Sequence, residues 1–549
     1  MKRLNRLLYE IHRWVGIALA AFMLMWFFSG LVIMYSPTIT QTRSEQLAHA
    51  ETLAPEVGWL SVGEAWERSA GQRKALDKTK PKEAKGDEVA ASIADARLVR
   101  SADEPLWLVE DSKGQRWALS ALDGSLHKTS AGQALKIAEH WYGLDSGDIA
   151  QAKHLATLDK TIMLRNQDAL APFHQVAVGG HGQQLLISSK TGEVLHASTQ
   201  VGRAFYWAGN WLHLFKPLEA IGLGKARGDV QMYSGLAATV AVLTGLIIGW
   251  LRWRPGFGGR PTYSQGRTQP YREFWFKWHF WSGLLGGTMM LFWALSGFLD
   301  TNPGKVFSQT NPNRQEINRY LGDGLPSAMR DWRPVLPLEL AAAVEGADVV
   351  ELSWKRLENE AVLLANTRDG QRLPQAVEGG KARFDGPSLL AAVGRIAAKS
   401  AVASQVLLNG YDSYYYARQD QSLVEKPLPV LLVTLADDAG TRLYIDPQDG
   451  KLLSKVDRSA RVLRWVYSAL HHWDFGWLRY RPLWDVWMLA WVSFGLVLSV
   501  SSLIIGWRRL KQTFGFKSTS SRKKAPHKSR YPVGQTLEEP QFGTDSLQG

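Results

Sequence analysis

The chain has 549 residues, 45% of them hydrophobic, no cysteine and a formal charge of +13. Its length exceeds what one soluble core organises, and the lack of cysteine excludes disulfides, c-type haem attachment and thiolate-held iron–sulfur clusters. The charge is concentrated: residues 1–13, 251–279 and 507–549 hold 4, 6 and 9 Lys or Arg against 1, 1 and 3 Asp or Glu, so the remainder nets to −1, a pattern of membrane topology and not of a nucleic-acid surface.

Residues 1–35 combine a basic start with a first uncharged run, Val15 to Tyr35, long enough to cross about 30 Å of hydrocarbon at 1.5 Å per residue. The run is longer than a signal-peptide core of about 7–15 residues. The nearest A-x-A triplet, Ala48-His49-Ala50, lies beyond it, so an uncleaved anchor is expected. Residues 36–204 are expected to form a first external α+β domain. Its predicted helices are Ser61–Ser69, with Ser61 and Glu64 at capping-box spacing, and Gln133–Tyr142. Its predicted hairpins turn at Lys113-Gly114 and within residues 185–195. Arg73 to Glu88, charged and poor in apolar residues, is expected to be a disordered insertion.

Residues 205–251 comprise an aromatic, amphipathic stretch, Phe205 to Phe215, that carries His213, and a second run, Val230 to Leu251. The stretch is expected to lie at the membrane interface. A basic loop, 252–279, leads into the third run, 280–299. Residues 300–460 are expected to form a second external α+β domain, with a strand at Val362–Ala365, a helix at Pro387–Ala398 and a hairpin at 442–452. Residues 461–507 hold a second interfacial stretch, Leu463 to Phe475 with His471 and His472, and the fourth run, Val486 to Trp507. The tail, 508–549, is expected to be unstructured after Lys511. With four spans, the positive-inside rule places the termini and the basic loop in the cytoplasm and both long loops outside, which without cysteine fits a bacterial periplasm.

The two halves repeat. Setting His12 over His279 aligns Trp14 with Trp281, Gly16 with Gly283, Met23 with Met290, Trp26 with Trp293 and Ser29-Gly30 with Ser296-Gly297, without a gap. Leu246-Ile247-Ile248-Gly249-Trp250 returns as Leu503-Ile504-Ile505-Gly506-Trp507, and Leu212-His213 as Leu470-His471. Both halves run in the same sense, so they are expected to be parallel repeats about an axis along the membrane normal.

The hairpins at 189–195 and 446–452, the His-x-Trp-x-Gly opening of two spans and the Leu-His before an I-I-G-W span resemble the PepSY-associated transmembrane family. The resemblance extends over nearly the whole chain apart from the tail. It implies an inner-membrane protein of bacterial iron uptake, similar to ferric-siderophore reductases that bind b-type haem between their helices.

The residues themselves offer a matching chemistry. At 100° per residue, Gly16, Met23, Trp26 and Gly30 share a helix face with His12, and Gly283, Met290, Trp293 and Gly297 share one with His279, widened by Gly286 and Gly287. An imidazole beside missing side chains and apolar walls suits a porphyrin. Close helix packing through small residues is the alternative. Histidine at both equivalent positions favours ligation, because ionisable groups near a bilayer are costly and a bis-imidazole haem needs two ligands. The Ser-Gly pairs matter in this scheme through their glycines. His213 and His471 make the second pair; adjacent His472 competes with His471, which is preferred. Of His127, His140, His154, His174, His181 and His196, most are expected on the solvated surface, with His140 a candidate on the substrate side.

No Walker loop occurs, and Gly256-Phe257-Gly258-Gly259 lacks a following helix, so no bound nucleotide cofactor is expected. The expected protein carries two bis-histidine b haems. It takes electrons from a cytoplasmic or membrane donor and reduces an external ferric siderophore to release iron(II). The rival is a non-enzymatic, membrane-anchored PepSY binding or inhibitory scaffold.

Overall fold

The structure, a computed structural model, describes residues 2–515 except 38, 79–91, 145–151, 162, 165–166, 180–181, 342–345, 398–399 and 419–420. Among the described residues four helices are long and apolar enough to cross a membrane. They are Lys2–Met34, Arg227–Arg252, Phe274–Asp300 and Leu483–Thr513. The last three contain their predicted runs and extend past them; the first begins well before Val15 and stops at Met34, one residue short of Tyr35, so the basic residues and His12 continue the first helix instead of preceding it. The first helix packs on the second and fourth spans, and the third span does the same, so the first and third face each other across the bundle.

Glycines let these helices approach. A Cβ on Gly235 would meet the Phe298 backbone at 3.2 Å, one on Gly286 would meet Phe494 at 2.7 Å, and one on Gly495 would meet Phe27 at 2.6 Å. Gly286 therefore serves packing, as the alternative for small residues held.

At one end of the bundle sit three antiparallel sheets. Strands 152–158, 173–178, 183–188 and 194–198 form one, and 402–408, 430–435, 442–445 and 452–456 another. Each is covered by a predicted helix, observed at Ala131–Tyr142 and Gly386–Ile396. The third sheet has six strands, in the order 372–375, 360–367, 349–357, 93–101, 104–111, 116–120. It is shared: Ile93–Ser101 from the first long loop pairs with Val349–Leu357 from the second, through Ala96 opposite Trp354 and Leu98 opposite Leu352. The loops thus do not make two separate domains. Val349–Leu357 is buried on nearly every residue, although its order alternates polar and apolar through Glu351-Leu352-Ser353-Trp354-Lys355.

The capping box at Ser61 and Glu64 forms as expected. The start of the predicted insertion does not: Ala70–Lys78 is helical, and the Arg73 guanidinium lies 3.2 Å from the Trp66 ring centroid, a cation–π contact that holds the turn. The rest of that stretch lies outside the described residues. The final helix continues two residues beyond Lys511 to Thr513, and the tail after 515 also lies outside them.

Candidate functional site

Four histidines meet in two pairs inside the bundle. The His12 and His279 rings lie 6.1 Å apart between centroids, and those of His213 and His471 6.4 Å. His471, not His472, faces His213. The His472 ring instead stands edge-on to Tyr467, 5.1 Å away. His12 and Gly30 are 18 positions apart on one helix, about 27 Å at 1.5 Å per residue. Gly30 touches His213, since its Cβ would lie 3.6 Å from the ring, and Gly297 stands likewise 3.5 Å from His471. One pair therefore occupies the basic end of the bundle and the other the sheet end.

The approaches to His213 and His471 match in detail. Helices capped by Thr199 and Asp457 pass into π-helical turns at Trp207–Trp211 and Arg464–Ala469. Two residues beyond each histidine, Phe215 and Trp473 both adopt φ of 53°, a left-handed conformation unusual for bulky residues. The extra residue per π turn shifts the following side chains around the helix, which the 3.6-residue periodicity used for prediction does not contain. Trp26 Nε1 donates to the His213 carbonyl at 3.3 Å and Trp293 Nε1 to the His471 carbonyl at 2.9 Å, so both tryptophans anchor histidine backbones instead of walling the His12 side.

Hydrogen bonds set the tautomer of each ring. His12 Nδ1 lies 2.9 Å from the Ala241 carbonyl oxygen, which can only accept. The Ser29 hydroxyl donates to Met25 O at 2.6 Å and accepts from His213 Nδ1 at 3.1 Å. Ser296 does the same between Trp293 O, at 3.2 Å, and His471 Nδ1, at 3.0 Å. Ser501 and Ser502 both donate to Leu498 O, at 2.8 and 2.7 Å, and both stand 3.3 Å from His279 Nδ1. All four rings carry their proton on Nδ1 and leave the Nε2 lone pair, the atom a metal takes, on the other edge.

The spacing suits one metal between each pair. Metal–imidazole bonds of about 2.0–2.1 Å, as zinc forms, and a ring radius of about 1.1 Å from C–N bonds near 1.33 Å, put two opposed rings about 6.2–6.5 Å apart. Among the described residues no group of three or more His, Cys, Asp or Glu could hold a metal ion. Two imidazoles are too few for a bare ion's usual four ligands, and are the number a four-nitrogen macrocycle leaves open.

A cavity of about 600 Å³ adjoins the first pair, lined by His12, His279, Gly16, Met23, Gly283 and Gly287 among others. A Cβ on Gly16 would meet nothing within 4 Å, whereas one on Gly245 would strike His12 Cε1 at 2.6 Å. Met290, expected to match Met23, is fully buried and lies outside that lining. Arg13, Arg252, Arg508 and Arg509 stand at the basic mouth, where Arg252 donates to the Tyr9 and Tyr271 hydroxyls at 2.9 and 2.7 Å.

The remaining histidines lie in the sheets. His140 is exposed beside a cleft of about 100 Å³ and joins neither pair. Contrary to expectation His174 and His196 are buried, because they fall on inward positions of their strands. His127 pairs with Glu104 at 3.0 Å, and His154 Nε2 lies 3.1 Å from His174 Nδ1. His181 lies outside the described residues.

The family model for the PepSY-associated TM region matches residues 9–330, more than half of the chain. The chain belongs to this family. The match covers the first three spans and all residues of the site up to His279; His471 and the fourth span lie beyond it, so it falls short of the nearly full-length resemblance expected. No curated protein matches the chain. Membership agrees with the four apolar helices and sheets of a multi-pass membrane protein. Ser29, Ser296, Ser501, Ser502, Ala241 and Gly245 were not anticipated at the site, although the repeated Ser-Gly pairs carried the signal for two of them.

Proposed function

We propose that this PepSY-associated membrane protein is a b-type haem electron carrier that reduces a ferric chelate, of the siderophore class, across the bacterial inner membrane. The observation that carries this is the pair of imidazole pairs: both have a ring separation that would let the two imidazoles hold one metal between them, and all four rings have Nδ1 occupied and Nε2 available. Haem, when bound, supplies one-electron chemistry at two depths of the bilayer.

The chain's own residues then have defined tasks. His12 and His279 would hold one group and His213 and His471 the other. Gly16 and Gly283 leave room beside the first, and the guanidinium groups of Arg252 and Arg508 at its mouth suit carboxylates. Between the levels, Phe27 packs edge-on to Trp293 with centroids 6.0 Å apart, and Met290 is fully buried, which keeps water out of the interior. Two histidines holding each haem would leave no position for a further ligand, which would favour electron transfer over oxygen chemistry. The basic ends favour a cytoplasmic side for the first pair and a periplasmic side for the sheets and the second pair. The matched caps, π turns, left-handed residues and Ser–His contacts support two parallel repeats. The electron donor would act at the basic face.

Purified protein should show a Soret band and reduced b-type α band, with about two haems per chain by pyridine haemochrome. A preparation expressed with ample haem but lacking any such absorption would leave the anchored scaffold as the better description.

A further inference from the structure

The face of the bundle nearest the first histidine pair is basic with almost no opposing charge. Residues 1–13, 251–279 and 507–515 carry 4, 6 and 3 Lys or Arg, against Glu10 and Glu273 as their only carboxylates. Both are occupied: Arg13 lies 3.3 Å from Glu10, and Arg508 lies 2.8 Å from Glu273. Arg254, Arg272 and Lys277 are exposed and reach no carboxylate among the described residues.

Membrane topology asks for charge on this side but for no particular shape, and the loop between the second and third spans has one. Arg260 donates to the Trp250 carbonyl at 2.9 Å, the Tyr263 hydroxyl to the Arg252 carbonyl at 3.0 Å, and Arg267 to the Pro270 carbonyl at 3.0 Å. The Arg254 guanidinium rests 4.4 Å from the Tyr263 ring centroid, a cation–π contact. The loop is thus a folded platform whose charges stand at set positions. It borders the cavity of His12 and His279, because Arg252 and Tyr271 from its two ends both line that cavity. His279 is five positions from the helix start at Phe274, about 7.5 Å along the axis, so the pair lies close beneath this surface.

Like charge excludes two occupants of the platform. A second copy would bring the same basic face. The chain's own residues 516–549 hold 6 Lys or Arg against 3 Asp or Glu and are repelled as well. Charge complementarity leaves an acidic partner.

Resting on the function proposed above, we propose that the platform docks an acidic, water-soluble protein that carries single electrons, with Arg254, Arg272 and Lys277 meeting its carboxylates. The carrier departs oxidised by one electron, and the nearer haem iron is reduced by one, with no proton or further reactant. Complementary fields of this kind steer encounter and make it salt-dependent.

The test uses full-length protein in nanodiscs of neutral phosphatidylcholine and, as probe, a plant-type [2Fe–2S] ferredoxin, an acidic one-electron carrier. Biolayer interferometry with the oxidised probe reads binding without turnover. Saturable binding is expected at about 20 mM salt, weakened about tenfold or more at about 300 mM. The variant R254Q/R272Q/K277Q should lose about tenfold or more in affinity with haem content and melting temperature unchanged, while R383Q, an exposed site in the sheets, should bind as wild type. Absence of binding at low salt, or equal binding by wild type and the triple variant, overturns the proposal. So does binding that disappears in phosphatidylglycerol-rich nanodiscs, since the platform then belongs to lipid headgroups. Binding that depends on the three cations in a protein without haem absorption would instead sink the electron-carrier function and leave the docking surface standing.

Discussion

Ser29 and His213 meet at 3.1 Å between Oγ and Nδ1, with the serine proton directed to Met25 O, so the serine is an acceptor for the imidazole and makes its Nε2 more basic. A more basic ligand stabilises the ferric state. With haem held as proposed, Ser29→Ala should therefore keep it and raise one midpoint potential by about 40 mV, the equivalent of one hydrogen bond of about 1 kcal/mol. Redox titration of the α band checks this, and a fall in potential would contradict the assigned donor direction.

The two histidine pairs use different residues at opposite ends of the bundle, so if each holds a haem as proposed, the two should be separable. On that proposal His12→Ala and His213→Ala should each remove about half of the haem, and the double variant nearly all, because a group that would be held by two histidines would be held weakly by one. Haemochrome assay against protein concentration decides it; complete loss in either single variant would show one shared site.

Two glycines near His12 should respond in opposite ways. Gly16 has open space where a Cβ would stand, so Gly16→Leu should block the cavity while leaving the melting temperature almost unchanged. Gly245→Ala would drive a methyl to 2.6 Å from His12 Cε1, forcing the ring to move and, with haem bound as proposed, altering its absorption. Parallel haem titration and thermal melts separate blocking from displacement.

Glu351 ties the two long loops together. Only 2% exposed, it accepts from Arg43, from Arg97 at 3.2 Å and from Asn366 at 3.0 Å. Glu351→Ala leaves Arg97 buried with less of its countercharge and should destabilise the shared sheet by about 3–5 kcal/mol. Urea titration of tryptophan fluorescence should show the loss, and a change below about 1 kcal/mol would mean that the network contributes little.

His196 makes the sheet region acid-sensitive. It is 1% exposed, neither ring nitrogen has a hydrogen-bond partner among the described residues, and burial followed by the charge of Arg203 pushes its imidazole from 6.5 down to about 4. The unfolded chain then binds a proton that the folded one refuses. Stability present above pH 6.5 should be lost as pH falls towards 4, by roughly 3 kcal/mol at most. His196→Phe should flatten the melting curve against pH between 6.5 and 4, and an unaltered slope would assign the sensitivity elsewhere.

The four spans, the hairpins at 104–120, 183–198 and 442–456, the capped helix at Val62–Arg68 and the candidate histidines at 12, 279, 213 and 471 were legible in the amino-acid order, because run length, turn residues and internal repetition are local properties. The hidden features all depend on partners distant in the chain. The pairing of Ile93–Ser101 with Val349–Leu357 joins strands about 250 positions apart, and no local pattern in either strand names the other. The π turn that leads into His471 appears in no 3.6-residue wheel, although the repeated Leu-His already favoured that residue. Ser29 becomes more than a small residue only when His213 is placed against it. Periodicity records which side of an element is buried; packing in three dimensions decides what each buried polar atom meets.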